Sequence, residues 1–194
     1  IGAYYGNATI FHLTQLEALI NFPLFLIVWL LDRAYKTESG LFVTYLVIGV
    51  LIGIVLLSKL VFSPIIFVFL LIHFIFTLKS KDIKYIFVKQ IIPLCIGFVI
   101  PLSVFLSYIF IHQIENLIVD IYFKIPTSVI ALEDQVDPDR LLSSLKWFIK
   151  KMLVLLLLAV LGVFLMTKKE SHFFSLIIAW GVIGFLVILM QKTS

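Results

Sequence analysis

Long apolar runs separated by short charged breaks make up most of the chain, and none of the runs alternates with period two. A membrane-spanning helix needs about 20 mostly apolar residues. Six segments qualify: about Thr14 to Leu31, Leu41 to Leu57, Leu60 to Leu78, Tyr85 to Ile111, Leu145 to Met166, and Phe173 to Met190. In lipid, backbone groups must be satisfied within a helix or a closed barrel. Runs this long without alternation read as helices. The pattern therefore predicts an all-α, polytopic transmembrane bundle of about six spanning helices.

The breaks carry helix-ending chemistry. Lys36-Thr37-Glu38-Ser39-Gly40, Lys79-Ser80-Lys81-Asp82 and Lys168-Lys169-Glu170-Ser171 separate successive runs, and Asp137-Pro138 reads as an N-cap followed by proline at the first helical position. Pro93, Gly97 and Pro101 are expected to interrupt the fourth helix. If six helices alternate, Arg33, Lys36, Lys79, Lys81, Lys84, Lys168 and Lys169 all fall on one side, which the bias of short basic loops assigns to the cytoplasm. The turn at Ser58-Lys59 and the stretch 112–144 fall on the other side. Within that stretch Ile114, Leu117, Ile118, Ile121, Tyr122 and Ile125 recur at helical spacing, with Glu115, Asn116, Asp120 and Lys124 opposite. This predicts one amphipathic helix on the outer membrane surface, or packed on the bundle, ended by Pro126, with Asp120 and Lys124 as an i,i+4 pair. The segment from Ala131 to Asp139 reads as a solvated acidic loop.

Composition agrees. The chain is 62% hydrophobic and 13% charged, with a mean hydropathy of +1.19. A soluble domain is roughly 25% charged, so this chain has too few charges to cover a water-facing surface. The net charge of +4 comes from lysines scattered between apolar runs, a membrane-edge pattern with no nucleic-acid footprint. The lone Cys95 forms no internal disulfide and reads as a small buried hydrophobe. With no initiator Met, and no basic stretch ahead of a short apolar core, residues 1–194 are expected to be a single transmembrane domain, a fragment of a longer integral membrane protein.

Few residues offer chemistry. There is no phosphate-binding glycine loop, no paired-histidine metal motif and no metal site in the spacing. His12, His73, His112 and His172 lie on different segments, and only His73 sits deep in an apolar run. An ionisable group there is a functional candidate; the plainer reading is a neutral imidazole bonded to a neighbouring helix. Gly49 and Gly53 share a helix face and would let a second helix approach closely. Lys59, wedged between two apolar runs on the outer side, suits either a phosphate or a snorkelling position at the interface. Thr14 and Glu17 have capping-box spacing.

Two of these places together resemble a family. Glu17-Ala18-Leu19 opens an apolar helix, a short basic loop follows, and Gly49-x-x-x-Gly53-x-x-x-x-Ser58-Lys59 runs straight into another apolar helix. This is similar to the middle of the bacterial membrane glycosyltransferases of the C-type fold, relatives of protein O-mannosyltransferases and of the lipid A aminoarabinose transferase. The stretch from Ile114 to Phe123, then Pro126, resembles their outer loop. The likeness covers Thr14 to Lys59 well and Leu60 to Pro126 loosely. It implies transfer of a sugar from a polyprenyl-phosphate carrier to an acceptor on the extracytoplasmic face, in a bacterial inner membrane. The family's catalytic carboxylate lies upstream of the matching region, so no catalytic residue is assigned here. Lys59 and Glu17 are the implied substrate-binding residues, with Lys59 neutralising the carrier phosphate. The implied partners are membrane lipids and the lipid-linked sugar; the acceptor and any need for a divalent metal stay open. Competing readings are a transporter or permease, a polysaccharide polymerase or ligase, and a membrane scaffold.

Overall fold

The computed structural model describes residues 10–37, 39–124, 146 and 171–190. Among these the chain is helical, with no strand. Helix α1 spans Ile10–Lys36, α2 Leu41–Ser58 and α3 Ser63–Leu78, the last entered through a 3-10 turn at Leu60–Phe62. A short α4, Ile83–Ile86, passes through a π-helical turn, Phe87–Ile91, into α5, Ile92–His112. Helix α6 is Glu115–Val119, extended by a π turn at Asp120–Lys124, and α7 is Ser171–Met190.

Among the described residues three stretches are long and apolar enough to cross a membrane: Leu41–Ser58, Leu60–Leu78 and Ile83–His112. They match the second, third and fourth predicted spans. The first predicted span lies within α1 and the sixth within α7, while the fifth, with Asp137-Pro138 and the acidic loop, lies outside the described residues. Apolar side chains face outward as well as inward: Phe22, Phe67, Val104 and Phe110 are each about two-thirds exposed. Such a surface suits acyl chains, since lipid exacts no penalty for exposed apolar atoms.

The core gathers Leu24, Ile27, Val28 and Leu31 of α1, Tyr45, Ile48 and Ile52 of α2, Ile65, Ile66 and Phe69 of α3, and Leu176 of α7. Helix α5 packs instead along the far side of α2. Lipid tails are as apolar as side chains, so helices gain little from hydrophobic contact and associate through close packing and hydrogen bonds. Close packing holds α2 to α5. A methyl group on Gly49 would collide with the Leu94 carbonyl and reach within 2.8 Å of the Phe98 nitrogen. One on Gly53 would strike the Pro101 ring, and one on Gly97 the Leu46 carbonyl.

The fourth span differs from expectation. Its helix is not interrupted at Pro93 or Pro101, which both lie inside α5. A proline ring displaces the carbonyl four residues earlier. The π turn at Phe87–Ile91 widens the backbone where the Lys89 carbonyl would meet Pro93. Gly97, four residues before Pro101, has no side chain and lies against α2. Cys95 is exposed on α5 and not buried as its apolar neighbours suggested, because the buried face of that helix runs through Pro93 and Gly97.

Candidate functional site

Helix direction sorts the polar groups into two ends. Lys36, Lys79, Lys81 and Lys84 lie at one end, where α1 and α3 finish and α2, α4 and α7 begin. Gly40, in the left-handed region at φ 69°, makes the tight turn from α1 into α2 there. Several cations of this end lie over rings: Arg33 5.5 Å from the Trp29 centroid, Lys79 5.1 Å from Phe76 and Lys81 5.3 Å from Tyr85. These contacts suit the boundary layer, where a ring meets lipid on one side and a cation on the other.

Lys59 lies at the opposite end. It is the residue at which α2 stops, in an extended conformation (φ −156°, ψ 106°), before the 3-10 turn. Its backbone N–H still donates to the Val55 carbonyl at 2.9 Å, while its own carbonyl accepts from Phe62 N–H at 3.2 Å. The side chain is half-buried. The predicted amphipathic segment is here too. Tyr122 donates its hydroxyl hydrogen to the Leu57 carbonyl, two residues before Lys59, and its ring meets Phe105 at 6.4 Å. The expected Asp120–Lys124 pair forms at 2.6 Å. The segment is thus seated on the bundle beside the end of α2.

Glu17 lies in the second turn of α1. Its backbone is 19 residues from the helix end at Lys36, about 29 Å along the axis at the usual rise. That distance brings it to the same end of the bundle as Lys59. The side chain of Glu17 lies outside the described residues. The capping-box reading fails: α1 begins at Ile10, so Thr14 is already helical, and an N-cap must be extended for its hydroxyl to reach the first free N–H groups.

The largest polar constellation was not legible as one. Four helices contribute to a continuous hydrogen-bonded chain at the lysine-rich end. Tyr45 Oη (α2) is 2.7 Å from His73 Nε2 (α3), and His73 Nδ1 is 3.1 Å from His172 Nε2 (α7). His172 Nδ1 is 3.2 Å from Asp32 Oδ1 (α1), whose other oxygen pairs with Lys36 Nζ at 2.9 Å. Tyr45, His73, His172 and Asp32 are all buried, at 0%, 0%, 2% and 8% exposure. Helix α7 holds His172 between two rings, stacked on Tyr35 at 4.4 Å and edge-on to Phe76 at 5.3 Å. Thr77 Oγ1 donates to the His73 carbonyl at 2.9 Å.

The plain reading of His73 as an imidazole bonded to a neighbouring helix holds in its geometry, and its partners prove to be two. Asp32 went unremarked because it looks like an ordinary charge at a helix end. The chain lies about one helical turn inside the helix ends, since Tyr45 is four residues from Leu41 and His73 five from Leu78. It therefore runs across the bundle in one layer and not along the helix axes. Among the described residues no group of three or more His, Cys, Asp or Glu side chains is arranged to hold a metal ion. Comparisons with protein-family models, with curated proteins and with solved structures return no match.

Proposed function

We propose that this chain is the central part of an integral membrane glycosyltransferase that moves a sugar from a polyprenyl-phosphate carrier to an acceptor on the extracytoplasmic face. One observation carries the reading. Lys59 stands where α2 breaks, at the end of the bundle away from the basic loops, beside the seated segment 115–124. A half-buried ammonium at the boundary between lipid and water meets a lipid-linked phosphate at its natural depth. As the carrier phosphate leaves, negative charge grows on its oxygens, and a fixed cation in a low-dielectric site stabilises that charge strongly. Glu17, at the same end, is the second substrate-binding residue in this reading. Six spanning helices and a bacterial inner-membrane location belong to the same proposal.

The transporter reading gains less from the geometry. A translocation path needs polar or ionisable groups distributed along the bundle axis. The buried ionisable groups described here lie in one layer near one end.

The test is sugar transfer from a radiolabelled polyprenyl-phosphate donor by the complete protein in membranes, with Lys59→Ala and Lys59→Arg. Lys59→Ala is expected to lower transfer by about a hundredfold or more, the size seen when one preorganised electrostatic partner is removed. Lys59→Arg should retain part of the activity. Unchanged transfer in Lys59→Ala sinks the phosphate role, and solute uptake without transfer would favour a transporter.

A further inference from the structure

The directions of the hydrogen bonds in the buried chain follow from its chemistry. A carboxylate only accepts. Asp32 therefore takes the Nδ1–H of His172, which leaves the neutral His172 with Nε2 as an acceptor. His73 must then donate its Nδ1–H to that nitrogen, and His73 Nε2 accepts from the Tyr45 hydroxyl. Every hydrogen points toward Asp32, and Lys36 donates to the same carboxylate from the other side.

This chain has a second arrangement in which the same three contacts stay hydrogen-bonded, and it holds one more proton. In it His172 carries hydrogens on both nitrogens, one toward Asp32 and one toward His73 Nδ1. His73 carries its hydrogen on Nε2 and donates to the Tyr45 oxygen, and Tyr45 turns its own hydrogen away from His73. The first arrangement holds three mobile hydrogens, on Tyr45, His73 and His172; the second holds four. A polar side chain and a small pocket lie next to the chain, on the side of the lysine-rich end. Gln90, on the π turn that packs against α2, is buried with its Oε1 unpartnered among the described residues. It lines a small pocket with Tyr35, Leu41, Thr77, Lys81 and Tyr85. Leu41 and Thr77 are one helical turn from Tyr45 and His73, toward the lysine-rich end. The pocket thus lies between the chain and that end of the bundle.

We propose that Tyr45, His73, His172 and Asp32 form a one-proton relay and storage site, loaded at its Tyr45 end and holding the proton as a His172 imidazolium against Asp32. The transfer balances. A proton from water reaches Tyr45 Oη as Tyr45 passes its own hydrogen to His73 Nε2. His73 in turn passes its Nδ1 hydrogen to His172 Nε2. Three O–H or N–H bonds form, on Tyr45, His73 and His172; the hydronium O–H bond breaks, as do the original bonds on Tyr45 and His73. No electron is exchanged. The charged and titratable groups around the site are Asp32, Arg33, Tyr35 and Lys36 of α1, Tyr45 of α2, His73 and Lys79 on and just after α3, and His172 of α7. Lys81, Asp82, Lys84, Tyr85 and Lys89 lie along the start of the next span. Among the described residues Asp32 is the acid that contacts the chain, and it both orients the neutral chain and balances the added charge. The site goes beyond the transferase reading and stands or falls separately from it.

Nitrogen-15 NMR of the imidazoles tests it, on the full chain in lipid nanodiscs. Replacing His12 and His112 by Asn, both outside the chain, leaves only the two relevant histidines to be read. At about pH 9 both should be Nδ1–H tautomers. On acidification His172 should become doubly protonated while His73 switches to the Nε2–H tautomer, with one shared midpoint. Tyr45→Phe, which removes the acceptor for that new N–H, should lower the population of switched His73 roughly tenfold at a given acid pH. Protonation of either imidazole without a change in the other overturns the proposal. So does the absence of any change down to about pH 4.

Discussion

The two faces of α2 are held by opposite means. Toward α5 it presents Gly49 and Gly53 to the backbone of Leu94 and Phe98, and Gly97 answers from the other side. No side-chain hydrogen bond of the described residues joins the two helices. Toward α1, α3 and α7 it presents Tyr45, the first member of a buried chain of ionisable groups. One interface works by the removal of side chains and the other by the choice of particular polar ones. Both answer the same problem, that helices in lipid gain little from hydrophobic burial. They should fail differently: a close-packed seam is intolerant of added volume, whereas a polar chain is intolerant of a missing partner.

The largest effect should come from adding volume to the dry seam. Gly49→Leu forces side-chain atoms against the Leu94 carbonyl, with no flexible neighbour to yield. Overpacking of this kind costs about 1–3 kcal/mol and at times more, and contact with backbone puts Gly49→Leu at the upper end. Thermal unfolding in detergent or nanodiscs should show the loss. A fold as stable as the parent would mean that α5 can simply move away.

Removing a partner from the polar chain should cost somewhat less. His73→Leu strands the Tyr45 hydroxyl and His172 Nε2, and a buried polar group left unpaired costs about 1–3 kcal/mol. Adding Tyr45→Phe should recover part of that loss, because it removes one of the stranded groups. A double-mutant cycle of the two substitutions reads the coupling, and additive effects would show that the 2.7 Å contact contributes little. The smallest effect should follow Asp120→Asn, which breaks an exposed ion pair worth a few tenths of a kcal/mol. It serves as the baseline against which the two faces of α2 are compared.

Much of the fold could be read before the structure. The ends of the second and third spans, the break at Lys59 and the Asp120–Lys124 pair follow from runs, breaks and i,i+4 spacing, all of which act between near neighbours in the chain. The glycine face of α2 was also visible, although its partner was not. Gly97 looked like part of a helix break, and only packing against Leu46 shows it to be half of a seam. The prolines misled for a related reason. A π turn and a glycine accommodated their rings, and neither device has a spacing that announces it.

The buried chain was beyond reach of any local pattern. His73 and His172 are 99 residues apart and Asp32 and His172 are 140 apart. Each residue alone has an ordinary explanation as a core histidine, a loop-edge histidine or a helix-end carboxylate. The amino-acid sequence by itself determined the apolar character and the length of the main helices, because hydropathy and chain breaks are properties of contiguous residues. Only the tertiary structure decided which helix ends meet. That meeting put four separated side chains within hydrogen-bond reach, since hydrogen bonds depend on distance in space and leave no trace in spacing along the chain.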